Sequence, residues 1–69
     1  MGRLGGTNRD GAAIYFEFTR VGSVVKVVAM DSATGTEVSV FGPVHASQYD
    51  LERLARRKLE ARLQREAAR

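Results

Sequence analysis

Cysteine is absent from the 69-residue sequence, proline and histidine occur once each, and no apolar run approaches the length of a membrane-spanning helix. Without cysteine there is no disulfide, no thiolate metal site and no cysteine nucleophile, which suits a reducing compartment. Crossing a bilayer as a helix takes about 20 predominantly apolar residues. The N-terminal "MGRLGGTNRDGA" holds no apolar stretch of the kind a secretory signal needs, and "MGRLGG" has no hydroxyl residue at position 6 for myristoylation. A cytoplasmic protein without membrane association is therefore expected.

The scarcity of chemistry-bearing residues also narrows the function classes. His45, in "GPVHAS", has only Asp50 as an acidic neighbour in sequence, so no metal-ligand cluster forms around it. Ser47 has neither a base nor an orienting group beside it, and helix capping explains it. Asp31, Thr34 and Gly35 fit a hairpin turn, and neither P-loop nor EF-hand spacing is present. The expectation is a non-enzymatic protein with no cofactor, no metal and no small-molecule substrate.

Charge is present but unevenly placed. Eleven basic and eight acidic residues give a net charge of +3. Up to Tyr49 four basic residues balance four acidic ones, whereas from Asp50 onward seven basic residues face four acidic ones, so the whole excess lies in the C-terminal segment.

Residues 1–12 contain four glycines and few apolar side chains. So little burial does not offset the entropy of ordering the chain, and a flexible tail is expected there. In "IYFEFTR" the apolar residues alternate, with Ile14, Phe16 and Phe18 on one face of a strand and Tyr15, Glu17 and Thr19 on the other. "VGSV" supplies a two-residue reversal with Gly22 at a position that needs positive φ, which pairs Val21 with Val24. In "DSATGT", Asp31 accepts turn hydrogen bonds and Gly35 takes the left-handed position, which pairs Met30 with Glu37. The two turns agree on one core face: Ile14, Phe16 and Phe18, then Val25, Val27 and Ala29, then Val38 and Val40.

The third strand ends at "FGP", since Pro43 lacks a backbone N–H and Gly42 favours a turn. Ser47 then caps a helix running from Gln48 to about Ala67, with Leu51, Leu54, Ala55 and Leu59 as its apolar stripe. Twenty helical residues span about 30 Å against roughly 23 Å for a seven-residue strand, so "RLQREAAR" is expected to project or fray. Lys58 and Arg62 flank the stripe, where their methylene stems cover the core while their charges reach water. The predicted fold is α+β: a three-stranded antiparallel β-meander with one C-terminal α-helix packed on one face. Residues 13–67 form this single domain, and residues 68–69 are a frayed end.

The strings "YFEFTRVG", "DSATGTEVSVFGP" and "ASQYDLERLARRKLEARL" resemble a family of small uncharacterised bacterial proteins, a domain of unknown function. The resemblance spans about residues 14–63. It implies a soluble domain with no assigned activity, cofactor or substrate, and carries no functional residues over.

Two surfaces offer themselves for binding. The sheet face away from the helix carries Tyr15, Val28, Met30 and Phe41 where polar residues normally stand, which points to a protein partner or a homodimer. Ordinary strand-forming residues on a tolerated face are the bland alternative. Strand addition at the first or third strand is a further route. On the helix, Arg53, Arg56 and Arg57 are the candidate contacts for nucleic acid. Against that stand the favourable pairs Glu52 to Arg56, Arg56 to Glu60 and Arg62 to Glu66 of an ordinary solvated helix. Some DNA-binding domains read the major groove with a similarly arranged sheet, but here Glu17 and Glu37 oppose that use and only Lys26 supports it.

Overall fold

Two tight reversals set the register of the sheet. A computed structural model of the chain describes residues 2–8 and 12–68, with side chains from Ala13 onward. Gly22 sits at φ 63°, where a Cβ would be strained, and strand β2 (Ala12–Val21) folds back on β3 (Val24–Asp31) with Val21 opposite Val24. The second reversal closes with Asp31 N–H donating to Thr36 O at 2.9 Å and Gly35 N–H to Asp31 O at 2.8 Å. The buried Asp31 carboxylate accepts from Thr34 N–H and from the Thr34 hydroxyl. Strand β4 (Glu37–Pro43) then runs antiparallel to β3 with Met30 opposite Glu37, as the turn chemistry predicts.

The helix α1 (Gln48–Ala67) follows a short connection. Ser47 holds extended dihedrals and its hydroxyl accepts from Asp50 N–H, satisfying one of the amides left open in the first turn. The helix lies over β3 and β4. Its buried residues Leu51, Ala55, Leu59 and Leu63 form a single i+4 row, packed on Ile14, Phe16 and Phe18 of β2, Val27 and Ala29 of β3 and Val38 of β4. Val25 and Val40 pack against this core at its margin. Full burial of each large apolar side chain contributes about 1.5–3 kcal/mol, so the alternation along β2 and β3 is what commits this face to the helix.

Three features depart from the sequence-based expectation. Gly2–Asn8 is strand β1, paired antiparallel along β2 from Gly2 opposite Phe18 to Asn8 opposite Ala12, and the sheet order is β1-β2-β3-β4. A tail reading from side-chain burial overlooks that a strand edge recruits backbone groups whatever the side chains are. The remainder of that expected tail, residues 1 and 9–11, lies outside the described residues. Second, Leu54 is half exposed and Leu63 replaces it in the core. At 100° per residue Leu54 stands about 120° from the middle of the buried row.

Third, the end of the helix is held. Leu63 is buried and the Thr36 hydroxyl donates to Glu66 Oε1 at 2.9 Å, because the β3–β4 loop lengthens the platform beyond the strand ends. Ala68 N–H donates to Gln64 O at 3.1 Å, closing the last turn. Arg69, the other half of the expected frayed end, lies outside the described residues. Gly42 also proves more than a turn residue: a Cβ there would overlap the Leu51 side chain, so its bareness lets helix and sheet approach.

Candidate interaction face

Strand alternation puts every second residue of β2, β3 and β4 on the side away from α1. The register arranges them in three rows: Tyr15, Met30 and Glu37; Glu17, Val28 and Ser39; Thr19, Lys26 and Phe41. Phe41 is 62% exposed and Tyr15 40%, while Val28 and Met30 in the central strand are half buried by their neighbours. Tyr15, Val28 and Met30 line, together with Glu17 and Glu37, a shallow depression of about 310 Å³. Phe41 stands one row beyond Val28 on β4, diagonal to it, so the four apolar candidates form a band across the face and not a single pocket.

The edges of the sheet follow from the same register. The two-residue turn makes Val21 and Val24 a hydrogen-bonded pair, and ladder bonds alternate from there. Residues 37, 39, 41 and 43 of β4 therefore turn their backbone groups outward. Two of those outward carbonyls are taken: Ser39 O accepts from Lys58 Nζ at 2.9 Å, and Pro43 O from Ala46 N–H at 2.9 Å. Pro43 has no N–H to offer. Strand addition along β4 thus meets an edge already blunted, while the β2 edge is covered by β1.

The three candidate arginines do not share one surface. Arg53 and Arg57 are exposed, and the Arg53 guanidinium lies 5.9 Å from the Tyr49 ring centroid. Arg56 is half buried and reaches over the core side of the sheet, its guanidinium 5.1 Å from the Phe16 ring centroid. It closes the part of the core that α1, seated over β3 and β4, does not reach. Lys58 on the opposite flank of the helix secures β4. The i+4 spacing from each buried residue marks both flanks, but only the seating of the helix tells which strand each cation meets.

Among the described residues no helix is long and apolar enough to cross a membrane, and no group of three histidine or carboxylate side chains is placed to hold a metal ion. The arrangement defines a small α+β domain with one face sealed by a helix and one open. The chain belongs to the family described as Domain of unknown function (DUF6898), whose model matches residues 11–66. That match takes in β3, β4, all of β2 and nearly all of α1, and leaves β1 outside. No curated protein and no solved structure matches the chain.

Proposed function

We propose that this protein is a small non-enzymatic interaction domain of the cytoplasm that binds a protein partner, or itself, through the open sheet face of Tyr15, Val28, Met30 and Phe41. The observation that carries the reading is the pair of exposed aromatic residues, Phe41 and Tyr15, joined across the uncovered face by Val28 and Met30. A band of this kind on one face of a small domain is the usual mark of a binding surface. Absent cysteine and an apolar core of ordinary strand and helix residues support the cytoplasmic, non-catalytic side of the reading.

A second reading, nucleic-acid binding by the helix, draws on the exposed Arg53 and Arg57 and the neighbouring Tyr49. The two separate in a pull-down from native lysate, half of it nuclease-treated. For the open face, specific proteins are retained after nuclease and are lost with Val28→Glu combined with Met30→Glu, while circular dichroism stays unchanged. For the helix, retention vanishes with nuclease and falls steeply with salt. Capture by the double variant equal to wild type removes the open-face reading.

A further inference from the structure

We infer that the outer edge of β1 pairs with β1 of a second copy of this chain, antiparallel and centred on Gly5, so that two four-stranded sheets join into one continuous sheet. This surface is distinct from the open face, and the inference does not depend on that face binding anything.

Ladder geometry decides which backbone groups of β1 are free. Val21 and Val24 form a hydrogen-bonded pair, so the odd-numbered residues of β2 bond to β3 and the even-numbered ones turn to β1. Phe18, Phe16, Ile14 and Ala12 stand opposite Gly2, Leu4, Gly6 and Asn8, which take those bonds. The N–H and C=O groups of Arg3, Gly5 and Thr7 therefore point away from the sheet. Among the described elements only β2 runs beside β1, and α1 is seated over β3 and β4, across β2 from it. An unpaired strand edge is a template for a further strand. The opposite edge, β4, carries Pro43 and has its Ser39 carbonyl taken by Lys58, whereas β1 has neither a proline nor an acidic residue.

Symmetry selects the occupant. A strand pairs with its own copy about a two-fold axis, here perpendicular to the sheet, and it uses its full length only when its middle residue faces outward. Gly5 is the middle residue of Gly2–Asn8 and does face outward. Centring on Gly5 sets Gly5 opposite Gly5 and Arg3 opposite Thr7, twice, with every residue of both strands paired. A register centred on Arg3 puts like charges in direct opposition, which is destabilising, and one centred on Leu4 or Thr7 leaves part of the strand without a partner. The rows add a second reason. Gly5 lies beside Tyr15, so the open side of the joined sheet reads Tyr15, Gly5, Gly5, Tyr15 across the seam. Aromatic residues beside edge glycines supply packing that glycine lacks. One pair of seven-residue strands is a small contact, in the class below about 1,200 Å² that forms transiently, so the dimer is concentration-dependent.

The test uses the full chain in analytical ultracentrifugation across a wide concentration range. Wild type is expected to dimerise, and Gly5→Pro to weaken the dimer at least tenfold. That change removes one outward N–H while Leu4 and Gly6 keep their bonds to β2, so circular dichroism and urea unfolding should match wild type. Val28→Glu with Met30→Glu, on the open face, should leave the dimer as tight as before. Oxidative crosslinking supplies a readout that does not depend on the proline variant, since the chain has no cysteine. Opposed residues of a hydrogen-bonded pair have Cα atoms about 5.5 Å apart, inside the range a disulfide spans. Gly5→Cys should therefore crosslink with itself, faster than the exposed Phe41→Cys. Arg3→Cys, about 14 Å from its own copy, should crosslink only when mixed with Thr7→Cys. A wild type that stays monomeric, a dimer indifferent to Gly5→Pro, or Gly5→Cys crosslinking no faster than Phe41→Cys would each overturn the inference. So would a dimer lost in the Val28→Glu, Met30→Glu variant and kept in Gly5→Pro, which would place self-association on the open face.

Discussion

Strand β2 contributes Ile14, Phe16 and Phe18 to one side of the sheet and Tyr15, Glu17 and Thr19 to the other, so the same six residues serve two environments. On the helix side every one of the three is buried; on the other, Tyr15 is substantially exposed. What separates the two sides is less the average polarity than the partner. Val28 and Met30 are as apolar as Val27 and Ala29, yet α1 seals only the latter. An apolar residue earns its stabilising role from what covers it, which here is the Leu51, Ala55, Leu59 and Leu63 row.

The contrast can be broken most forcefully at the aromatic residues. Phe16→Ala should cost about 3–5 kcal/mol in urea unfolding, a large part of the total for a chain this size, which at 0.05–0.15 kcal/mol per residue is about 3–10 kcal/mol. Phe41→Ala should stay within about 0.5 kcal/mol of wild type; equal losses at the two would dissolve the distinction between the faces. Along the helix, Leu63→Ala is expected to cost about 2–3 kcal/mol and the exposed Leu54→Ala less than about 1. A reversed order would mean that the end of α1 is not seated on the β3–β4 loop. Gly42→Ala should lose about 1–3 kcal/mol through overlap with Leu51, with the helix side absorbing the whole effect. The smallest change is Arg56→Gln, about 0.5–1 kcal/mol from loss of the cation over Phe16. Arg57→Gln should read as silent in the same urea unfolding.

Much of this architecture was legible because local and global signals agree. Gly22 and Gly35 fixed two turns, each turn fixed a register, and both registers put the same alternation inward. The open face was legible for the same reason, being the complement of that alternation. What escaped depends on backbone or on seating. β1 is held by main-chain pairing, so its composition of glycines says little about it. Leu54 and Leu63 fit a helical stripe equally well, and only the docking of α1 over β3 and β4 chooses between them. Arg56 looks like a member of one solvated basic face with Arg53 and Arg57 until that docking sends it to Phe16, and Lys58, expected beside the apolar stripe, reaches past it to the Ser39 carbonyl.

The strands lie in space in the order in which they occur along the chain, with no crossover, and the helix rests on the last two of them. Every ladder therefore joins neighbours in sequence, which keeps the contact order low. Chains of that kind reach the native state early because little loop entropy must be lost before contacts form. The hairpin of β2 and β3, with a two-residue turn, is the natural nucleus; β4 and α1 then condense on it, and β1 adds from the outside. Replacing residues in that hairpin should slow folding, while changes in β1 should alter chiefly the unfolding rate.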